Sequence, residues 1–140
     1  MQYKRILVPV DFSEGNHRAI SVASDLAAAS GGEVTLLHVI ETIADAPFED
    51  MQDFYQRLEE KARAGMSTLA ESLTTDEISV EQHVIYGRRA SEIVAFAQEK
   101  EIELIAMTSR SLDPDKPETA WGSISHQVAI LAGCPVLLLK

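Results

Sequence analysis

Short, continuously apolar runs alternate with amphipathic stretches from one end of this chain to the other. A strand that is apolar at every position must be buried on both faces. Parallel sheets covered by helices on each side offer that environment. Residues 3–10 are the first such run: after Tyr3-Lys4-Arg5, the segment Ile6-Leu7-Val8-Pro9-Val10 is rich in β-branched residues. Asp11 to Asn16 is turn chemistry. Ala19, Val22, Ala23, Leu26 and Ala27 then recur at spacings of three and four, which predicts an amphipathic helix stopping at Gly31-Gly32. Glu33 to Ile40 reads as a second buried strand, so a complete βαβ unit is legible within the first 40 residues.

The remaining segments follow the same logic. A long helix is expected with Met51, Phe54, Leu58, Ala62, Met66, Leu69 and Leu73 on one stripe. Ile78 to Tyr86 alternates apolar and polar residues, the pattern of an edge strand with one wet face. Ala90, Ile93, Val94 and Ala97 define a further helix face, and Leu104-Ile105-Ala106-Met107 a fourth, central strand. Asp113-Pro114-Asp115-Lys116-Pro117 cannot sit in a helix or a central strand, so a long loop runs from Thr108 to Ala120. Trp121-Gly122-Ser123 opens a last helix with Ile124, Val128 and Leu131 expected inward, and Val136-Leu137-Leu138-Leu139 closes the sheet. Strand–helix alternation throughout predicts a doubly wound, five-stranded parallel sheet. With no internal repeat and no second composition regime, residues 1–140 are expected to form a single domain.

Composition narrows the setting. No run approaches the roughly 18 apolar residues of a membrane helix, and one cysteine, Cys134, permits no intramolecular disulfide. The chain is expected to be soluble and cytoplasmic, away from membranes. A net charge of −10 disfavours binding to nucleic-acid phosphates. Cys134 beside Pro135 reads as an inert thiol, and the four histidines fall in different elements without metal-ligand spacing. Neither a Walker A run, a G-x-G-x-x-G fingerprint nor a G-x-S-x-G elbow is present, and no acid pair or triad can be assembled. No catalytic constellation is therefore expected.

In open parallel sheets, ligands lie beyond the carboxyl ends of the strands where the strand order reverses. Two segments are candidates to meet there: Pro9-Val10-Asp11-Phe12-Ser13, and the long loop ending at Gly122-Ser123. Asp11 can accept hydrogen bonds from an amino group or a ribose. The helix opening at Gly122-Ser123 offers amides, a hydroxyl and the positive end of a helix dipole, which suit phosphate. The simpler alternatives are that Asp11 and Ser13 cap the first helix and that Ser123 only caps the last.

The opening Ile6-Leu7-Val8-Pro9-Val10-Asp11-Phe12-Ser13, the strand Leu36-Leu37-His38-Val39, the helix start Glu92-Ile93 and the strand Leu104-Ile105-Ala106-Met107 belong to one pattern. With Gly122-Ser123-Ile124-Ser125-His126-Gln127-Val128 and Cys134-Pro135-Val136-Leu137-Leu138-Leu139, they resemble universal stress proteins over essentially the whole chain. The resemblance implies a Rossmann-like α/β fold of the adenine nucleotide alpha hydrolase type, strand order 3-2-1-4-5, and a homodimer pairing its last strands, Val136–Leu139. Nucleotide-binding members carry G-x2-G-x9-G-[S/T] after strand four. Here the first two glycines become Thr108 and Ser111, Gly122-Ser123 retains the third, and the spacer is one residue longer. By resemblance the adenosine side falls on Pro9, Val10, Asp11 and Val39, and the phosphate side on Met107, Thr108, Ser111, Gly122, Ser123 and Ile124. The implied ligand is AMP, ADP or ATP, the last with Mg2+.

Three functions follow in order: a nucleotide-binding, stress-responsive dimer that signals to a protein partner; a family member that has lost the nucleotide and works by protein interaction; and a weak ATPase or phosphotransfer enzyme. The apolar final strand, blunted only by Lys140, independently favours pairing with a second copy.

Overall fold

The computed structural model describes residues 3–73, 78–109, 115 and 123–140. In chain order the elements are β1 (Arg5–Pro9), α1 (Asn16–Ser30), β2 (Glu33–Glu41), a 3-10 turn (Phe48–Met51), α2 (Gln52–Leu73), β3 (Ser79–Gly87), α3 (Arg89–Glu99), β4 (Leu104–Thr108), α4 (Ile124–Leu131) and β5 (Val136–Leu139). All strand pairs are parallel and the sheet order is β3-β2-β1-β4-β5. The alternating strand, β3, lies at one edge and the apolar β5 at the other, while β1 and β4, whose apolar runs are buried, lie inside.

Successive residues of each strand point to opposite faces and build two cores. On one face Ile6, Val8, Val34, Leu36, Leu104 and Ala106 meet Ala19, Ala23 and Ala27 of α1 with Met66 and Leu73 of α2. On the other, Leu7, Leu37, Val39, Ile105 and Met107 meet Ala90, Ile93, Phe96 and Ala97 of α3 and Val128 of α4. Each fully buried Leu, Ile or Val contributes about 1.5–3 kcal/mol, so these strand residues supply the main driving force. The alanine stripe of α1 keeps that helix's buried face slim. Gly31, in the left-handed region at φ 62°, ends the helix.

Two expected core positions fall elsewhere. Phe54 is 38% exposed, whereas Tyr55 is 1% exposed. The Tyr55 ring stacks on Phe48 at 5.0 Å and meets Tyr86 edge-on at 5.9 Å, while its hydroxyl accepts from the Ile43 amide at 2.8 Å. An amphipathic ring with a partner for its oxygen outcompetes a purely apolar one at the wet end of the sheet. Leu131 is 59% exposed and its neighbour Ile130 62%, because nothing among the described residues covers the last turn of α4.

At the carboxyl edge α2 is tied to β3 by the Tyr86 hydroxyl, which donates to Glu59 at 2.7 Å; Glu59 in turn accepts from Arg63 at 3.1 Å. Desolvation, followed by the hydrogen bond to the Glu59 carboxylate, pushes the Tyr86 phenol up to about 12. The folded protein therefore holds this proton after an unfolded chain, titrating near about 10, has lost it. The associated stability is present at neutral pH and lost as pH rises through that interval. In an alkaline absorbance titration, one phenol is expected to ionise late, and Tyr86→Phe should abolish that late phase.

Gly32 sits where β1 and β2 begin to pair. A Cβ there would lie 2.5 Å from the Lys4 carbonyl oxygen and 2.7 Å from Lys4 Cα, both backbone atoms that cannot swing aside. Gly32→Ala is expected to destabilise by about 1–3 kcal/mol in urea denaturation. Gly133→Ala, which would meet nothing within 4 Å, should stay within about 0.5 kcal/mol of the parent.

Candidate site at the carboxyl edge of the sheet

The connections leaving β1 and β4 run in opposite directions across the sheet, β1 toward β2 and β4 toward β5. This is the switch point at which a crevice opens. The turn after β1 is held by several independent contacts. Val10 donates its amide to the Leu37 carbonyl at 2.8 Å, extending the pairing past Pro9. The Val10 carbonyl lies 2.8 Å from His38 Nδ1, and because a carbonyl only accepts, Nδ1 carries the proton. The Asp11 amide donates to Asn16 Oδ1 at 3.0 Å, and the Ser13 amide donates to the Asp11 carboxylate at 3.0 Å.

Phe12, between them, adopts φ 64°, a left-handed conformation that strains a bulky residue. Its ring packs on His38 at 4.7 Å and fills the space beside Gly65, where a Cβ would come within 2.8 Å of Phe12 Cε1. Such strain persists only where the surroundings over-determine it, and it is concentrated at functional turns.

Neither Asp11 nor Ser13 caps α1. The N-cap position is Gly15, with no side-chain hydrogen bond, and Asp11 instead closes its own turn. Partial burial alone would raise the Asp11 carboxyl. Its hydrogen bonds with Ser13 and its own backbone, together with the charge of Arg89, outweigh that effect and hold it below the ordinary aspartate range. Arg89, at the start of α3, also lies 4.0 Å from Glu41 at the end of β2. Asn16 and Arg89 have no motif signature, and His38 enters the sequence pattern only as a strand residue; the tertiary fold brings all three to the Asp11 turn.

Pro9 ends β1 and is buried; Val10, Val39 and Met107 are core residues whose side chains face the helices. What they offer a ligand is backbone. Leu37 turns its carbonyl toward β1, and Val39, two residues on, turns its N–H and C=O to the same side. The last β1 partner on that ladder is Pro9, opposite Leu37. The polar edge of Val39 therefore faces the space beyond the end of β1.

Thr108 holds its position at the end of β4, but its hydroxyl donates to the Gly15 carbonyl at 2.6 Å and is already engaged. A Cβ on Gly15 would lie 2.8 Å from Thr108 Cγ2. Ser123 caps α4, accepting from the His126 amide at 3.2 Å, and Ile124 begins that helix. Ser111 and Gly122 lie outside the described residues. Cys134 is half-buried against the α3–α4 core, and burial pushes its thiol up, away from reactive thiolate.

A doubly wound parallel sheet with a strained acidic turn at its switch point defines a Rossmann-like α/β protein. The model of the universal stress protein family matches residues 2–140, and the chain belongs to that family. It is 26% identical over 148 residues to universal stress protein YxiE of Bacillus subtilis, covering 99% of each chain. The solved structure of MJ0577 from Methanocaldococcus jannaschii superposes with a TM-score of 0.85 at 28% identity, covering 100% of this chain and 97% of that one. Two more distant structures share the fold. One is a universal stress protein in complex with cAMP (TM-score 0.70, 21% identity, covering 100% and 98%). The other is that of Archaeoglobus fulgidus in complex with dAMP (TM-score 0.68, 23% identity, covering 100% of both).

Removing the Thr108 hydroxyl should be measurable. Thr108→Val is expected to cost about 0.5–1.5 kcal/mol in denaturant unfolding, since the Gly15 carbonyl loses its donor. For Asp11 the lowered carboxyl means stability fully present above about pH 3.9, the ordinary aspartate value, and lost as pH falls through the lower folded value. The stability advantage of the parent over Asp11→Asn should therefore shrink on acidification below that point and stay level between pH 5 and about 8.

Proposed function

We propose that this chain is a cytoplasmic, homodimeric regulator that binds an adenine nucleotide at the carboxyl edge of its sheet and signals that state to a protein partner. The observation that carries the reading is the pairing of an ionised Asp11 with the outward polar edge of Val39 at the switch point. A backbone N–H beside a C=O matches the acceptor–donor edge of adenine, and a carboxylate suits a ribose hydroxyl. Crystallised complexes with cAMP and dAMP exist for other proteins of this fold. Pro9, Val10, Asp11 and Val39 would form the adenosine end. Met107, Thr108, Ser111, Gly122, Ser123 and Ile124 would form the phosphate end.

With the Thr108 hydroxyl held by Gly15, that end has lost a donor as well as a glycine. We expect AMP or ADP to be preferred over ATP with Mg2+. The same contact favours the second reading, a family member that works by protein interaction alone, because it braces the crevice without any ligand. For the dimer, β5 is an edge strand that exposes Leu138, with exposed Ile130 and Leu131 at the preceding end of α4, an apolar margin suited to twofold pairing.

Titration with AMP, ADP and ATP, followed by thermal shift and by fluorescence of Trp121, tests the first reading. Ligand at 100 times its dissociation constant should add about 2.7 kcal/mol of stability, and Asp11→Ala should abolish the effect. A flat response to all three, with no nucleotide released on denaturing the purified protein, would overturn the nucleotide reading and favour the interaction-only one. Sedimentation at tens of micromolar should give a dimer that Leu138→Glu dissociates.

A further inference from the structure

At the opposite end of the sheet, beneath the C-terminal end of α3, lies a cavity of about 320 Å3. Its floor is apolar, formed by the buried Phe96 and Ile102. Four carboxylates line it, Glu33, Glu81, Glu99 and Glu101, against two bases, Arg5 and Lys100. Arg5 is already committed, with Nη1 3.1 Å from Glu101 and Nε 4.0 Å from Glu33. The charged partner of Glu81 is His83 at 3.4 Å, which compensates it only when protonated. The last turn of α3 carries Glu99 and no basic residue, so a carboxylate stands at the negative end of the helix dipole.

Thr35 provides an independent sign of a ligand. It lies on β2 between Leu7 of β1 and Glu81 of β3, is 4% exposed, and lines the cavity. Its hydroxyl has no hydrogen-bond partner among the described residues. It is not among the side-chain atoms sealed away without a partner, so this hydroxyl of an otherwise buried residue opens into the cavity, where an entering donor can reach it. Among the described residues no three acidic, histidine or cysteine side chains gather as a metal cage, which points to an organic cation rather than a metal ion.

We propose that this cavity binds a small aliphatic di- or polyamine. Its methylenes lie on Phe96 and Ile102, its ammonium groups face Glu81 and Glu99, and one ammonium donates to Thr35 Oγ1. The site is remote from the Asp11 turn and independent of whether a nucleotide binds there.

The test is calorimetric titration of the full chain with spermidine and putrescine at about 150 mM salt, where exposed charges are largely screened. Magnesium chloride and the neutral 1,4-butanediol serve as controls. Saturable binding of the amines but not of the controls is expected, about tenfold weaker in Thr35→Val and in Glu81→Gln/Glu99→Gln. The glutamine pair is exposed and keeps the test sound if Thr35→Val fails to fold. Absence of binding, equal binding by parent and variants, or an equal response to magnesium would overturn the proposal, the last two marking diffuse attraction to an acidic protein.

Discussion

The hydrogen bond from the Val10 amide to the Leu37 carbonyl is the last one that β1 makes before leaving the sheet, and the carboxyl edge takes its form from where it stops. One residue further on, Asp11 must turn, and its amide and carboxylate are taken by Asn16 and Ser13 within the same turn. β2 continues to Glu41 while β1 ends at Pro9, so the backbone of Val39 has no β1 partner. This mismatch in strand length is what the proposed nucleotide site would use. The apolar core holds that mismatch in place, since Ile6, Leu7 and Val8 fix the register of β1 from both faces.

Membership of the universal stress protein family and the engaged Thr108 hydroxyl bear on the same crevice in different ways. The family pattern places glycine where Thr108 stands. Here a side chain ties the end of β4 to the turn before α1. A ligand in such a site meets a more preorganised wall and fewer free donors, which is why the adenosine half and the phosphate half of the proposed nucleotide need not have diverged together.

Strands buried on both faces were legible because their signal is local and redundant: Ile6 to Val8 and Leu104 to Met107 admit little else. The edge placement of β3 followed from its alternation. The strand order came from the family resemblance rather than from periodicity, since right-handed crossovers alone leave several arrangements open. Positions decided by a single long-range partner were illegible. Tyr55 displaced Phe54 because its partners, the Ile43 amide and the Phe48 ring, lie outside α2 where helical periodicity cannot register them, and Leu131 is exposed because nothing among the described residues covers the end of α4. At the site, Asp11 was found by its position after β1, yet its role in closing its own turn, and the approach of Arg89, depend on contacts that spacing does not encode.

Phe12 and Gly65 show how far such dependence reaches. The ring at position 12 occupies the volume that position 65 leaves empty, and it does so from a backbone conformation suited to a residue with no side chain. Relaxing the torsion by placing glycine at 12 would vacate the space over α2, whereas enlarging 65 would evict the ring. The two positions, 53 residues apart, thus behave as a single steric unit, and any lineage that alters one must alter its counterpart in step or surrender the shape of the turn that carries the acid.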